Sequence, residues 1–566
     1  MVRKIDKLEV KKPLIHICFA IMIGLINFML LNINIKGMVI FTISFITIYL
    51  ITYNRKYFCI LLSFVFIGFL SSYFYYNFYQ NRQDNFKIRI TDTYKDHYLG
   101  IVNGRKFYIY SKQKLDENKL IYANGKFKKD IDIQSGRVGH IFVKDILKTK
   151  EDFIFKLRQI NDKYYNNLKS YIGEKNAAMA TALVFGDKDY LEYEDKEKLK
   201  DIGVIHLICI SGFHIVFIYS ILKKFIKKEI SLALVFFYVV LTGLTASALR
   251  AYITLVVLEM SFKVKKNYNS IAALSLSAIL ILLVKPYYLL DIGFDLSYLA
   301  TLGILLFNKV FQRVFYFLPK YINTSLSMSL AAQVFIYPFM IFVFKSFTMN
   351  FALGSFVLTP LIYLLLPLGI VSLIMFLFNV SILWFYSLLS IAFKIFNFLV
   401  EYLQYYSLDI FYCEEIYAVI YTIILIIFSS IYKGYLNKKF FVLCCMLIFV
   451  IFMSEFSLFT KLYLYEDTWN NVLIIENKFE KVAYTSNDSD IFINKIKKEN
   501  AINKVKVLKK DIMLNLRNNF NIYVNPKIKG SFIMLSNDNY DIIDLLNEDE
   551  KVVIMFNEIY IDERGQ

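Results

Sequence analysis

A serine and two histidines lie inside an apolar run of this sequence. Residues 205–222 are otherwise almost entirely apolar, and among them are His206, Ser211, Gly212 and His214. If the run is one helix, Ser211 and His214 are three positions apart and lie on the same face. A serine beside a histidine is the arrangement of a hydrolase nucleophile and its base, although no third group that would orient the histidine is identifiable. Polar residues also bond neighbouring membrane helices, and the spacing alone leaves both interpretations open.

A second apolar segment, residues 230–262, contains Arg250, the side chain of this segment that is least favourable to place in a membrane. Lysine clusters flank this segment, and since both clusters should be cytoplasmic, it must cross the membrane an even number of times or not at all. It spans roughly 50 Å as a continuous helix, too little for two crossings of a core about 30 Å thick. Gly243 and Ser247 lie in an interruption at residues 242–247. We therefore expect a broken or re-entrant hairpin with Arg250 near its tip.

An arginine at that depth could bind a phosphate through two parallel hydrogen bonds. A helix-end arginine that reaches the membrane surface along its apolar stem is the alternative, and both remain open. A third polar stretch follows at residues 291–303, where Asp295 lies within the apolar run and could pair with that arginine. Small residues of the same stretch, among them Gly293, Ser297 and Gly303, permit close helix packing, which by itself could explain them.

The composition places these segments in a membrane. The chain has 566 residues, 57% of them hydrophobic and 17% aromatic, with a mean hydropathy of +0.48. Repeated apolar runs of about 20 residues predict a polytopic α-helical membrane protein rather than a soluble one. The net charge of +18 fits lysine-rich cytoplasmic loops, with a polyanionic partner as the second explanation. The six cysteines have no metal-ligand spacing, so no metal site or cofactor is expected.

We expect about eleven membrane spans in addition to the hairpin. Three of them lie in residues 1–83, and the basic residues before them place the N-terminus in the cytoplasm. Residues 84–150 contain short runs rich in Ile, Tyr and Val, with turns at Asn103-Gly104 and Asn124-Gly125. This pattern predicts an external, five-stranded, OB-like β-barrel. Its basic and aromatic residues alternate as on a surface that binds single strands, although a solvated strand face looks the same.

The remaining boundaries follow from further changes in pattern. Residues 151–204 have the pattern of amphipathic helices at the membrane surface, and residues 176–185 are too short to span and are expected to be interfacial. Residues 205–460 hold the hairpin and the other spans, and residues 461–566 predict a small α/β or α+β module. The expected location is the cytoplasmic membrane, in a multi-pass protein whose β-module and C-terminal module are external.

Four ordered motifs resemble the ComEC-type competence proteins, a family of inner-membrane channels for single-stranded DNA in natural transformation. The stretches that carry the resemblance are Gly186-Asp187-Lys188, His206…Ser211-Gly212-Phe213-His214, Leu241-Thr242-Gly243…Ser247…Arg250 and Gly293-Phe294-Asp295…Ser297…Gly303. The resemblance implies a transmembrane channel that imports single-stranded DNA, with an OB-like domain where the β-module lies. The residues expected to line the DNA path are His206, Ser211, Gly212, His214, Arg250 and Asp295.

Two departures from the family pattern bear on function. Asp295 occupies a position where the family has Gln, and a carboxylate there would repel phosphate unless Arg250 neutralises it. Many members end in a metallo-β-lactamase-like domain that binds zinc through histidines, whereas residues 461–566 contain no histidine. The resemblance therefore implies a conduit without its own nuclease, not an enzyme. The partners it implies are single-stranded DNA, membrane lipid, a surface DNA receptor and a cytosolic helicase or translocase.

Two other function classes remain open on the sequence. The first is a membrane-embedded hydrolase that uses Ser211 and His214. The second is a transporter of another anionic substrate, a small anion or a lipid-linked molecule, on the same scaffold.

Overall fold

The computed structural model describes residues 12–77, 85–94, 96–265, 267–432, 445–449, 457–467, 470–478, 480–485, 487–508, 512–515, 520–525, 531–536, 543–544, 551–555 and 558–562. In this part of the chain, eight helices are long and apolar enough to cross a membrane. They are Pro13–Ile33, Ile35–Thr52, Arg55–Tyr76, Ile205–Phe225, Ile292–Val314, Lys320–Phe344, Phe351–Leu377 and Leu383–Tyr405. The chain is therefore a mostly helical, multi-pass membrane protein. The count of eleven stays a prediction, and the helix expected at 440–459 lies largely outside the described residues.

Packing divides the chain into two compact units. The first comprises residues 1–332 and 350–407, and it contains the β-barrel and most of the helices. The second comprises residues 333–349 and 408–566. All four motifs lie in the first unit.

The first unit opens with helices α1 (Pro13–Ile33), α2 (Ile35–Thr52) and α3 (Arg55–Tyr76). Two glycines, Gly24 on α1 and Gly68 on α3, allow the backbones of α1 and α3 to come into direct contact. A Cβ at either position would overlap a carbonyl group of the other helix. Only Phe45 of α2 is buried, so α2 presents its apolar surface outward.

Five strands then close into a barrel. They are β1 (Asn85–Thr93), β2 (Tyr98–Val102), β3 (Arg105–Tyr110), β4 (Leu120–Asp132) and β5 (Arg137–Lys150). Their order around the barrel is β1-β2-β3-β5-β4, with β3 parallel to β5 and the other pairs antiparallel. Inward side chains such as Phe107, Ile109 and Ile141 are buried, and their neighbours along each strand point outward. The predicted five-stranded barrel is confirmed.

One of the two predicted hairpin turns is wrong. Asn103 and Gly104 have positive φ angles, 49° and 78°, and form the β2–β3 turn as expected. Asn124 and Gly125 instead lie inside β4, at a register shift against β5. A Cβ at Gly125 would overlap the Phe142 carbonyl of β5. This glycine therefore permits a close approach of two strands and does not form a turn.

Three helices follow the barrel: α4 (Phe153–Ile172), α5 (Glu174–Phe185) and α6 (Tyr193–Asp201). All of residues 176–185 of α5 are buried in protein, which the sequence did not predict, and their expected position at the membrane surface stays a prediction. They lie in the main hydrophobic core of the unit, against α14 (Phe351–Leu377) and α15 (Leu383–Tyr405). A helix that is apolar all round has to be enclosed by protein or lipid, and here protein encloses it.

The candidate span Ile205–Phe225 is interrupted by one break, so residues 205–222 are not a continuous helix. One turn, α7 (Ile205–Ile208), is separated from α8 (Gly212–Phe225) by a short extended break that includes Cys209. The interrupted pair expected next is present as α9 (Lys228–Leu241) and α10 (Ala246–Lys263). At 14 and 18 residues these helices are about 21 and 27 Å long, shorter than a core of about 30 Å. Their depth in the membrane stays a prediction.

After α10 come α11 (Ser270–Val284) and a 3₁₀ turn at Pro286–Leu290. The helices beyond this turn are α12 (Ile292–Val314) and α13 (Lys320–Phe344), followed by α14 and α15. Gly303 of α12 permits close contact with α13, because a Cβ there would overlap the Ala331 carbonyl. The small residues of the fourth motif thus include a true helix-packing position.

The second unit contains the short strands β6 (Ser346–Phe347) and β7 (Phe411–Tyr412) and the helix α16 (Ile416–Tyr432). Its C-terminal part holds β8 (Ser457–Asp467), β9 (Asn470–Lys478), β10 (Glu480–Thr485), α17 (Asp490–Asn500), β11 (Lys504–Val507), β12 (Ile512–Asn515), β13 (Phe520–Asn525), β14 (Ser531–Ser536), β15 (Ile543–Asp544), β16 (Lys551–Met555) and β17 (Glu558–Asp562). These strands form a six-stranded sheet of order β11-β10-β9-β8-β16-β17 and a four-stranded sheet of order β12-β13-β14-β15. The sequence predicts five strands here, at residues 472–476, 505–508, 522–524, 532–535 and 552–556, and β9, β11, β13, β14 and β16 lie at these positions.

Candidate functional site

Three of the four motifs meet at the break between α7 and α8. Gly186 has a φ of 74°, and a Cβ there would lie 2.8 Å from the Ile210 side chain. Lys188 Nζ lies 2.8 Å from Cys209 Sγ. From the other side, Ser247 Oγ donates to the Ile210 carbonyl at 2.8 Å. Residues far apart in the sequence therefore surround Cys209 and Ile210.

Ser211 lies at the N-cap position of α8, a position that serine favours. His214 Nδ1 accepts the Ser211 backbone N–H at 3.2 Å and lies 3.0 Å from Ser211 Oγ. Because Nδ1 accepts the backbone proton, it carries none itself, and the Ser211 hydroxyl is the donor in the second contact. The histidine is only 1% exposed. Its Nε2 is turned towards the Leu183 carbonyl without reaching good hydrogen-bond geometry. The predicted Ser–His pair exists, but its histidine is enclosed.

Arg250 projects from the second turn of α10 towards α12. Its Nε donates to Ser297 Oγ at 2.8 Å, and its Nη1 donates to Thr301 Oγ1 at 2.5 Å. These two hydroxyl residues are four positions apart and share one face of α12. The third nitrogen, Nη2, lies against Gly212, where a Cβ would be 3.2 Å from it. The guanidinium is thus fixed on one side and faces the N-terminus of α8 on the other.

The predicted pairing of Arg250 with Asp295 is wrong. Within the described residues, the hydrogen bonds of the Arg250 side chain go to hydroxyl groups, and no ion pair joins it to Asp295. The reason is the angular spacing on α12. Asp295 precedes Ser297 by two positions, which is about 200° around a helix with 3.6 residues per turn. The two side chains cannot face Arg250 together, so the half-buried carboxylate does not neutralise the guanidinium.

The other predicted residues lie in separate settings. His206, on the single turn α7, is exposed, and its Nδ1 lies 3.1 Å from the Gly203 carbonyl. Gly243 has a φ of 82° in the break between α9 and α10, and no atom lies within 4 Å of its Cβ position. Gly293 is exposed in the first turn of α12. The structure therefore brings together Ser211, Gly212, His214 and Arg250, but not His206 or Asp295.

The turn that begins at Gly186 continues into an acidic loop beside the barrel. Burial raises the pKa of Asp189, and the Asp187 carboxylate next to it raises this pKa further. Glu117 and Asp92 of the barrel act on the Asp189 pKa in the same direction. Such interactions require proximity, so this edge of the barrel lies close to the first motif.

A line of rings crosses the outer face of the barrel, and sequence analysis did not single it out. This aromatic ladder consists of His97, Tyr108, Tyr110, His140 and Phe142. The Tyr108 and His140 rings are stacked with centroids 5.2 Å apart, and the Tyr110 and Phe142 rings are stacked at 5.1 Å. The Arg137 guanidinium lies over the Tyr108 ring, 4.0 Å from its centroid. Rings and cations in a row are the usual elements of a surface that binds single-stranded nucleic acid.

In the described part of the chain, no group of three His, Cys, Asp or Glu side chains is arranged to hold a metal ion. The expectation that the chain uses no metal stays a prediction, because an arrangement of side chains tests it only in part.

Comparison with known proteins places the motifs in a family. Residues 183–435 match the family model described as "Competence protein". The chain is 30% identical over 211 residues to ComE operon protein 3 of Bacillus subtilis (strain 168), an alignment that covers 35% of this chain and 26% of that protein. It is 32% identical over 144 residues to the uncharacterized protein MG316 of Mycoplasma genitalium, covering 24% of this chain and 37% of the relative. An uncharacterized protein of Aquifex aeolicus is 28% identical over 239 residues, with coverages of 39% and 55%.

The chain thus spans between 26% and 55% of the length of these three relatives. No solved structure matches it significantly. All four motifs lie within residues 183–435, the segment that matches the family model. The resemblance inferred from the motifs is therefore confirmed over this segment, which is similar to the ComEC-type competence proteins.

Proposed function

We propose that this protein takes part in DNA uptake and provides a path for single-stranded DNA across the cytoplasmic membrane. The family likeness supports a role in competence, and the arrangement around Arg250 supports a path for a polyanion. The external position of the barrel and the cytoplasmic position of the N-terminus belong to the same proposal. A surface receptor that supplies DNA and a cytosolic helicase that pulls the strand inward are its expected partners.

The observation that carries the proposal is the position of the Arg250 guanidinium. An arginine within a membrane-spanning region costs at least about 2.5 to 3.5 kcal/mol on insertion scales, so its retention indicates use. Ser297 and Thr301 hold two of its nitrogen atoms, and Nη2 faces the first turn of α8. The first N–H groups of a helix lack intrahelical partners and attract anions. Guanidinium and helix N-terminus together form a suitable cradle for one phosphate at a time.

The barrel provides a second element that suits the same substrate. Bases of a single strand stack on aromatic side chains irrespective of sequence, and each stacked base contributes about 1 to 3 kcal/mol. The aromatic ladder offers such stacking positions, and Arg137 adds a cation beside Tyr108. A strand held there would keep its phosphates free for Arg250.

Transport by the purified full-length protein tests the proposal. The protein is reconstituted in liposomes that enclose a helicase and ATP, and the import of a fluorescent single strand is measured. We expect Arg250→Ala to reduce import by about two orders of magnitude, because charged hydrogen bonds to phosphate are lost. Arg250→Lys should recover only part of the rate, since lysine lacks the planar fork. Arg313→Ala, at the far end of α12, is the matched control and should import normally.

Three outcomes would contradict the proposal in different ways. Normal import by Arg250→Ala would remove this residue from the mechanism. Passage of inorganic phosphate but not of an oligonucleotide would favour the transporter of a small anion. A wild-type protein that imports neither, with the helicase active, would contradict the proposed path itself.

A membrane-embedded hydrolase is the second candidate, and the 3.0 Å contact of Ser211 Oγ with His214 Nδ1 favours it. The same nitrogen also accepts the Ser211 N–H at 3.2 Å, which holds the serine in a helix cap. A nucleophile and its base have to reach the substrate, but His214 of this pair is only 1% exposed while Ser211 is half-buried. Labelling by a fluorophosphonate probe that disappears in Ser211→Ala would support hydrolysis, and the absence of labelling would count against it.

A further inference from the structure

The loop between β4 and β5 seats the barrel on the helices. Tyr75, at the end of α3, donates its hydroxyl to the Gly136 carbonyl at 3.0 Å. Its neighbour Tyr76 donates to the Ile133 carbonyl at 3.3 Å. Both tyrosines are buried, and buried hydrogen bonds of this kind fix orientation as well as distance. The barrel is therefore held at a defined angle.

Gly136 makes this seat possible. Its φ is 71°, and a Cβ at this position would lie 2.5 Å from the Tyr287 side chain in the 3₁₀ turn Pro286–Leu290. The Tyr287 side chain is 7% exposed and lies against the rings of Tyr75 and Tyr288. It has little room to retreat, so any larger residue at position 136 would push the barrel away from the helices.

The aromatic ladder leads directly to this seat. Arg137, which lies over Tyr108, pairs in register with Lys106 of β3. Lys106 Nζ in turn lies 4.3 Å from the centroid of the Tyr287 ring. Lys106, Tyr108 and Tyr110 alternate along β3 and share its outer face. Rings and cations thus continue from the barrel surface to the 3₁₀ turn.

Beyond Tyr287 this line of side chains leads to α12, the helix whose Ser297 and Thr301 bind Arg250. Burial lowers the pKa of Lys106, and the nearby Asp291 carboxylate opposes this effect. Asp291 caps α12 by accepting the Phe294 N–H at 2.8 Å. Ser297 and Thr301, the partners of Arg250, lie about two and three turns beyond Asp291 on this helix.

We infer that the contact of Gly136 with Tyr287 is a positioning contact, which aligns the ladder with the start of α12 so that a bound strand passes from the barrel to Arg250. This inference rests on the proposed function. In this proposal, neither Gly136 nor Tyr287 contacts the bound DNA. They act through the angle at which the barrel is held.

The test uses two glycines of the same barrel. Gly136→Ala introduces a methyl group against Tyr287, whereas Gly104→Ala introduces one where nothing lies within 4 Å. Both glycines have positive φ, 71° and 78°, so both variants carry similar backbone strain. Import into proteoliposomes is measured as a function of strand concentration, and binding of a labelled oligothymidine to the purified full-length variants is measured separately.

We expect Gly136→Ala to lower the maximal import rate about tenfold or more, because misplacement by about 1 Å can cost that much. The concentration for half-maximal import and the affinity for oligothymidine should stay within about twofold, because the ladder itself is unchanged. Gly104→Ala should import as the wild type does. Tyr287→Phe, which keeps the ring against Gly136, should also import normally.

Hydrogen exchange provides a readout that does not depend on transport. In Gly136→Ala, the amides of residues 133–136 should lose protection while the barrel strands keep theirs. An equal loss of rate in both alanine variants would contradict the inference, as would a parallel loss of affinity and rate in Gly136→Ala. If the wild-type protein imports nothing, the proposed function fails. If it imports and Gly136→Ala imports equally well, only the positioning contact fails.

Discussion

Thr301→Val isolates the orientation of Arg250 from its charge. The substitution keeps the branched shape of the side chain and removes the oxygen that accepts from Arg250 Nη1 at 2.5 Å. Hydrogen bonds to charged groups contribute about 1.5 to 3 kcal/mol. Since 1.4 kcal/mol corresponds to a factor of ten, import should fall between roughly tenfold and 150-fold if the guanidinium has to keep this orientation.

The assay is the import of a labelled single strand into proteoliposomes that contain equal amounts of each variant. Thr254→Val is the matched control, because this threonine is on the same helix as Arg250 and its hydroxyl bonds only carbonyls of that helix, at 3.0 and 2.9 Å. It should change the rate by no more than about twofold. Thermal unfolding of both variants separates a loss of rate from a loss of folded protein.

The double variant Ser297→Ala with Thr301→Val extends the argument. Residues that act on one group are not additive, so the double variant should approach the rate of Arg250→Ala and not fall below it. If Thr301→Val imports as fast as Thr254→Val, the hydroxyl groups do not position the guanidinium. The reasoning from these hydrogen bonds to the mechanism would then be refuted.

Two further predictions concern stability. Gly303→Ala should lower the free energy of unfolding by about 1 to 3 kcal/mol, because its Cβ would overlap the Ala331 carbonyl. Gly293→Ala, in the exposed first turn of α12, should be nearly neutral. Chemical denaturation in detergent measures both changes. Burial alone would raise the pKa of Asp152, but its hydrogen bonds, the first of them from Arg89, hold this pKa below the ordinary value of 3.8. The stabilisation from these bonds is therefore present above pH 3.8 and is lost as the pH falls through the folded-state pKa. Asp152→Asn should remove this acid dependence. Asparagine keeps the cap of α4 but loses the ion pair with Arg89, so the substitution should cost up to about 1 kcal/mol at pH 7. An unchanged acid transition would contradict this.

Much of the fold was predictable because hydropathy and turn chemistry act locally. The apolar runs at residues 14–35, 37–54 and 57–79 predict the limits of α1, α2 and α3 to within three residues. Long apolar runs bounded by charges leave few choices. The interruption at residues 242–245 was predictable for a similar reason. A glycine between threonines, in a segment too short to cross twice, has few alternatives to a break.

The errors and omissions arose where a position depends on packing between distant segments. Residues 176–185 were too short to span, and length alone did not show that α14 and α15 enclose them. Gly125 has the sequence of a turn, but its lack of a side chain serves the approach of β5. Asp295 lies near the partners of Arg250 in sequence and on another side of the helix in space.

The aromatic ladder also depends on packing between distant segments. The alternation of Lys106, Tyr108 and Tyr110 was visible in the sequence, and it indicated one outward face of β3. His140 and Phe142 join that face only because β3 pairs with β5, a parallel and non-local pairing. No local pattern specifies such a pairing, so the surface could not be assembled from the sequence.

The burial of α5 has a consequence for how the protein is made. The preceding helix α4 covers one side of α5, and α14 covers another. Helix α14 begins at residue 351, which is 166 positions after α5 ends at residue 185. At a synthesis rate of about 5 to 20 residues per second, α5 leaves the ribosome roughly 10 to 30 seconds before α14 exists. During this interval one side of an apolar segment that is too short to anchor itself in lipid stays uncovered. We therefore expect a chaperone or insertase to shelter this segment until the later helices arrive.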